Sequence, residues 1–161
     1  MGELWPDMSI FEPISGYGDV KRFMVRALNA SRPVHVLLSG PPMSGKTAFL
    51  MCISKLPKSA YFNCAMPMLR HKDLGLLLFH SRPRYLLLDE IDKMPRDWVM
   101  VLLRVMDGET LITYVGDEYK KAQFNTWVIG ACTDDKVVKN ELPKLYNRFK
   151  VVRLKGSYLR R

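Results

Sequence analysis

The chain is 161 residues long, with 48% apolar and 25% charged residues, which is the balance of one folded domain with its own core rather than a disordered segment. Lys plus Arg number 25 against 16 Asp plus Glu, a formal charge of +9, an excess that favours a polyanionic partner such as DNA and also suits solubility and nucleotide binding. No apolar run approaches the roughly 20 residues of a membrane span, and the start, Met1-Gly2-Glu3-Leu4-Trp5-Pro6, lacks the basic-then-apolar pattern of a secretory signal, so no membrane partner and a cytoplasmic setting are expected.

Residues 1–17 are rich in Pro and Gly and read as an extended lead-in. Residues 19–29 place Val20, Phe23, Met24, Ala27 and Leu28 at three- and four-residue spacing, the mark of an amphipathic helix, with Gly18 or Asp19 as its cap. Val34-His35-Val36-Leu37-Leu38 reads as a buried strand. A glycine-containing loop, 40–47, leads into a helix over 47–56 that stops before Pro57. Residues 60–63 form a short second strand, 73–80 a Leu-rich helix and 84–88 a third buried strand. Residues 96–106 are amphipathic, after a Pro95 placed where a helix start tolerates it. Residues 111–115 and 119–124 flank Gly116-Asp117-Glu118 as a hairpin. Residues 126–132 are a fourth core strand, 142–147 a short helix and 149–154 a fifth strand. Alternating strands and helices imply a parallel sheet with helices on both faces. Cys52, Cys64 and Cys132 are odd in number and lack metal-ligand spacing, and read as buried thiols. His35, His71 and His80 do not cluster in sequence.

Gly40-Pro41-Pro42-Met43-Ser44-Gly45-Lys46-Thr47 fits the phosphate-loop pattern G-x-x-x-x-G-K-[ST], with a strand before it and a helix after it. Glycine lets backbone N–H groups turn inward on phosphate oxygens, and the following helix presents its positive end to the same anion. Lys46 is placed to reach the β- and γ-phosphates, and the Thr47 hydroxyl to join a Mg²⁺ shell. Tyr85-Leu86-Leu87-Leu88-Asp89-Glu90 ends an apolar strand in two carboxylates. Ligands of open parallel sheets sit beyond the carboxyl ends of the strands, so this pair is expected beside the loop. Asp89 is the candidate Mg²⁺ group and Glu90 the one that orients the attacking water.

Together these motifs resemble the AAA+ ATPases, over residues 14–154. The resemblance implies a three-layer P-loop fold with a five-stranded, mainly parallel sheet in the order 5-1-4-3-2, interrupted by a hairpin at about 109–124, and ATP/ADP with Mg²⁺ as ligands. It also implies further site residues. Thr133, after Ile129-Gly130-Ala131-Cys132, takes the place of the residue that senses the γ-phosphate, where many members carry Asn. Arg148, before Phe149, is placed as the finger that reaches a neighbouring subunit's ATP. Ile14 and Gly16 match the segment lining the adenine pocket, and Asn63 is the polar partner that restrains Glu90. A homo-oligomer, such as a hexameric ring, follows from the same resemblance. A helical lid with its own arginine, which the resemblance places after the last strand, is not expected within a sequence that closes on Lys155-Gly156-Ser157-Tyr158-Leu159-Arg160-Arg161.

The hairpin between the helix after the acidic strand and the sensor strand resembles the pre-sensor insertion of DNA motors, including RuvB-type branch-migration ATPases and the minichromosome-maintenance helicases. Lys120 and Lys121 on it, and Arg70, His71 and Lys72 before the third helix, are candidates for phosphate contact in a central channel, or are solvated loop charges. Two rival readings stand beside DNA helicase-like work: a protein remodeller, although Met66-Pro67-Met68-Leu69 lacks the aromatic–glycine loop of such machines, and a nucleotide-dependent switch or scaffold with little turnover.

Overall fold

The computed structural model describes residues 6–155. In chain order its elements are α1 (Gly18–Leu28), β1 (Val36–Ser39), α2 (Lys46–Ser54), β2 (Ser59–Asn63), α3 (Leu74–Ser81), β3 (Tyr85–Asp89), α4 (Arg96–Met106), β4 (Leu111–Val115), β5 (Glu118–Ala122), β6 (Trp127–Cys132), α5 (Asp135–Glu141), α6 (Pro143–Tyr146) and β7 (Lys150–Arg153). Five strands form one sheet in the order β2-β3-β6-β1-β7, every neighbouring pair parallel. With the hairpin strands left out of the count, that is 5-1-4-3-2 read from the β7 edge. All five strands therefore end on one side of the molecule and begin on the other.

The period of two along each strand divides the core into two halves. Leu37, Leu86, Leu88, Val128 and Cys132 face one half, which Trp98, Leu102 and Val105 of α4 complete. Val36, Leu38, Tyr85, Leu87, Ile129 and Ala131 face the other, covered by Met24, Ala27 and Leu28 of α1 and by Phe49, Leu50 and Ile53 of α2. Each fully buried aliphatic side chain contributes about 1.5–3 kcal/mol of transfer free energy. Two indoles also fix the layers by hydrogen bonds: Trp98 Nε1 donates to Lys72 O (3.0 Å) and Trp127 Nε1 to Ala27 O (2.7 Å). Trp98→Ala removes both packing and bond and is expected to cost about 3–5 kcal/mol.

Three local readings need correction. The lead-in is not extended throughout: Met8–Phe11 is a 3₁₀ turn, because the Asp7 carboxylate accepts the Ser9 N–H (2.9 Å) and Phe11 is then buried. Residues 135–141, which carry no helical assignment in the sequence reading, form α5, capped by Asp134 accepting the Lys136 N–H. Glu118 belongs to β5 rather than to the hairpin tip, so the turn is the two residues Gly116-Asp117. Elsewhere element ends move by at most two residues, with α2 starting at Lys46. The expectations for residues 1–5 and 156–161 lie outside the described residues. Among the described residues, no helix is long and apolar enough to cross a membrane.

Candidate active site

The loop between β1 and α2 is tied to the sheet by the Gly40 N–H, which donates to Cys132 O at the end of β6 (3.2 Å). Its curl needs backbone that side chains resist. Gly45 has φ 105°, and a Cβ on Gly40 would stand 2.7 Å from Leu154 O and 2.8 Å from Ser44 Oγ. Met43, at φ 69°, accepts the same left-handed strain without being glycine. Inside this curl the Lys46 ammonium folds back on the loop, donating to Gly40 O (2.6 Å) and Pro41 O (3.0 Å). Burial lowers its pKa, and the carboxylates of Asp89 and Glu90 act the other way. The first N–H groups of α2 have no partner within the helix and carry the positive end of its dipole. Pro41 and Pro42 are exposed at the rim, while Ser44 is buried and its hydroxyl lacks a hydrogen-bond partner among the described residues.

Asp89 closes β3 beside this loop. Its Oδ2 accepts the Thr47 hydroxyl (3.0 Å) and the Tyr61 phenol (2.9 Å), and its Oδ1 accepts the Glu90 N–H (3.0 Å). The two residues expected to share a metal, Thr47 and Asp89, are thus in direct contact. Glu90 turns outward in left-handed backbone, φ 49°, and its carboxylate accepts Asn63 Nδ2 (3.1 Å). Asn63 is held in turn by the Ala65 N–H on its Oδ1 (2.9 Å). The β2–β3 register, Asn63↔Asp89, brings these groups level.

Thr133 follows β6 as an exposed residue, one position beyond the Cys132 carbonyl that holds Gly40. Arg148 is engaged within its own chain: a fork of Nε–Oδ1 (2.7 Å) and Nη2–Oδ2 (2.8 Å) grips Asp107, and Nη1 donates to Lys144 O (2.6 Å). The Arg148 guanidinium in turn holds the Asp107 carboxyl below its ordinary range. Ile14 does not present its side chain to an open pocket. It is 2% exposed, packed in the core half that holds Phe11 and Phe49, because the 3₁₀ turn folds this apolar residue inward. Gly16 stays exposed at φ 73°. Arg70, His71, Lys72, Lys120 and Lys121 are all exposed.

Three contributors escape a reading by motif. Tyr61 stands two residues before Asn63 on β2 and so shares its face. Burial and its bond to Asp89 push the phenol pKa up, which keeps it a proton donor. Tyr17 donates from its phenol to Ser44 O (2.6 Å), linking the lead-in to the loop. Asp135, at the start of α5, is buried. It takes the Ser39 hydroxyl (2.8 Å) and a fork from Arg153 (3.1 and 2.8 Å), clamping β1, β7 and α5 together below the loop. The period of two on β2 could have pointed to Tyr61; the other two are set by packing over long chain separations. The three cysteines are free and buried, and burial pushes Cys64 up to about 12 and Cys132 up to about 11, so both are neutral thiols.

This donor set fits a triphosphate with magnesium. One hydroxyl, one carboxylate, an ammonium and a helix N-terminus converge. Among the described residues no cluster of three His, Cys, Asp or Glu is arranged to cage an ion. Mg²⁺ is ordinarily held by few protein oxygens, with phosphate and water completing its shell.

Comparison with known proteins agrees with this geometry. Residues 36–157 match the model of the ATPase family associated with various cellular activities (AAA). The chain is also 34% identical over 102 residues to the Holliday junction branch migration complex subunit RuvB of Anaplasma marginale (strain Florida), and 32% identical over 102 residues to that of Ehrlichia ruminantium (strain Gardel). Each match covers 62% of this chain and 31% of the relative, so the chain spans about a third of the length of the curated relatives it matches. The family match takes in the loop, the acidic strand end and β6, and on it the chain belongs to the AAA family of ATPases.

Proposed function

We propose that this chain binds ATP at residues 40–47 with Mg²⁺ beside Thr47 and Asp89, hydrolyses it through Glu90, and couples the cycle to DNA as part of a homo-oligomer. The observation that carries the reading is the contact of Thr47 with Asp89, 3.0 Å apart, at the mouth of a loop that also holds the Lys46 ammonium. Lys46 exchanges the carbonyls of Gly40 and Pro41 for phosphate oxygens. Magnesium, when bound, neutralises charge on the transferred group. Glu90 leaves Asn63 and orients the attacking water, and Thr133 donates a hydrogen bond toward the same group. Arg148 leaves Asp107 and reaches the ATP of a neighbouring copy. In this reading residues 1–161 are one nucleotide-binding core, with 1–17 as lead-in and about 109–124 as the hairpin insertion, acting in the cytoplasm. The DNA assignment is supported by the relatives, named as subunits of a Holliday junction branch migration complex, and by the +9 charge.

Lys46→Ala is expected to abolish ATP binding in an equilibrium titration, and unchanged affinity refutes the loop assignment. Turnover per subunit is expected to rise with protein concentration and again on adding DNA at low salt. A rate indifferent to DNA, with no DNA binding at low salt, removes the DNA coupling.

A second reading, a nucleotide-dependent switch, is favoured by one feature: Glu90 and Arg148 are both held by partners of their own chain. Asp107→Asn separates the two. A motor whose finger is held back gains turnover about threefold when the fork on Arg148 is weakened, from the ~0.5–1 kcal/mol of such a half-exposed pair. A switch gains none.

A further inference from the structure

The phosphate loop has few N–H groups to offer an anion. Pro41 and Pro42 have none, the Gly40 N–H is taken by Cys132 O (3.2 Å), and the Ser44 N–H by Pro41 O (3.2 Å). The Gly45 N–H, at the entry to α2, donates to no protein group among the described residues. Where it points is decided by its own peptide plane. That plane also carries the Ser44 carbonyl, and in a trans peptide the C=O and the N–H point in opposite directions. No cis bond occurs among the described residues. Whatever grips Ser44 O therefore aims the Gly45 N–H the other way.

The grip comes from Tyr17, 27 residues away in the sequence, whose phenol donates to Ser44 O at 2.6 Å. A phenol has one proton to donate, and Lys155 O, 3.3 Å from the same oxygen, is the weaker acceptor. Burial raises the phenol's pKa, so it stays a donor at neutral pH. The ring is steadied by an edge contact with Phe49 of α2, centroids 5.9 Å apart and planes at 64°. The backbone bends to deliver it. Gly16 and Tyr17 are successive left-handed residues, φ 73° and 59°, and a tyrosine resists that region where glycine or asparagine does not. Two bonds hold the bend: the Lys21 N–H donates to Tyr17 O (2.9 Å), and the Lys21 ammonium donates to Ile14 O. Strain of this kind persists where the surroundings over-determine it, and it gathers at functional sites. The bend alone asks for no phenol; the contact with the loop does.

We infer that Tyr17 is a positioning residue for the phosphate loop, its phenol holding the Ser44 carbonyl so that the Gly45 N–H is aimed at a phosphate oxygen before nucleotide arrives. The inference rests on the reading of residues 40–47 as the triphosphate site, and it needs no contact between Tyr17 and the nucleotide. A donor aimed in advance raises affinity because the loop is not reordered on binding. Tyr17→Phe removes one oxygen and keeps the ring against Phe49. The test is equilibrium titration of the full chain with ATP and, by competition, with adenosine, which has no phosphate. ATP affinity is expected to fall about three- to tenfold in Tyr17→Phe, the usual worth of one hydrogen bond, with adenosine affinity at the wild-type value. A merely structural tyrosine moves both ligands together or neither, so the ratio of the two affinities is the readout. Wild-type ATP affinity in Tyr17→Phe overturns the inference, and so does a loss that adenosine shares equally. Lys46→Ala measured alongside separates the two readings. If it loses ATP while Tyr17→Phe does not, only the role of Tyr17 falls; if it keeps ATP, the loop assignment itself falls.

Discussion

The two ends of one parallel sheet carry opposite chemistry. At the carboxyl ends, Asp89, Glu90 and Asp135 gather with Thr47, Asn63, Tyr61 and Lys46, and the polar side chains satisfy one another. At the amino ends of β2, β3 and β6, Lys58, Arg82 and Arg84 gather around one cavity, and the guanidiniums rest on aromatic rings, with Arg84 Nε also donating to the Tyr85 hydroxyl (2.9 Å). A parallel sheet makes such sorting simple, because every strand begins at one end and finishes at the other, so each end collects a single kind of loop. Acid with cation at one end suits a metal and a triphosphate; cation against aromatic ring at the other holds the guanidiniums in place by stacking. The difference is one of partners rather than of residue count.

The largest break in this comparison comes from the carboxyl end. Glu90→Gln keeps the side chain's shape and its bond to Asn63 while removing the base. Turnover is expected to fall by about 10²-fold or more, the usual worth of a positioned acid–base group, with ATP affinity near wild type. Single-turnover hydrolysis measures it, and undiminished hydrolysis removes Glu90 from the mechanism. Tyr61→Phe is a finer test at the same end. The phenol shares Asp89 Oδ2 with Thr47, so it fixes the carboxylate's orientation without touching substrate. Losing one hydrogen bond to a charged group, about 1.5 kcal/mol, is expected to raise the magnesium needed for half-maximal rate about tenfold, with the rate at saturating magnesium close to wild type. A merely structural tyrosine would lower stability and leave the magnesium dependence alone.

How much of this was legible in the sequence follows from how local each signal is. The loop over 40–47 and the Asp89-Glu90 pair are contiguous motifs whose function needs adjacent residues, so they could be read directly, along with the order of strands and helices. Asn63 against Glu90 could be placed through the family resemblance, and the structure puts them 3.1 Å apart. Arg148 could be placed in the chain but not its grip on Asp107, 41 residues away. Ile14 could be placed in the chain but not its burial, because its surroundings, Phe11 and Phe49, come from a 3₁₀ turn and a distant helix. α5 was missed because, of its seven residues, only Asp135 and Val138 are buried, too few to show a helical period. Lys58 and Arg82, in loops, and Arg84, read as the first residue of a strand, are unremarkable cations until the sheet lines up the starts of three strands.

The smallest effect sharpens the amino end. His35 sits just before β1, buried, with Nδ1 accepting the Val128 N–H (3.1 Å) and Nε2 facing Met106 O (3.4 Å). With Nδ1 an acceptor, the ring is neutral and its proton is on Nε2. Burial holds its pKa below the ordinary 6.5, although the Met106 carbonyl and Asp107 pull the other way. The unfolded chain therefore binds a proton at this residue before the folded one does. Stability is full above about pH 6.5 and is lost as pH falls from there toward the folded value, with a slope of at most ~1.4 kcal/mol per pH unit. Asp107 and Asp135 have carboxyls held below their ordinary value, so their contributions are lost only at still lower pH and do not overlap this window. Urea unfolding near neutral pH and again about one unit below 6.5 is expected to show a drop of roughly 1 kcal/mol or less in the wild type. His35→Gln, which keeps an amide beside Val128 and cannot titrate, is expected to show a smaller drop over the same interval. Equal drops in the two proteins would mean that the amino end of β1 accepts a proton as readily folded as unfolded, the pull of the Met106 carbonyl and Asp107 offsetting the burial of the ring.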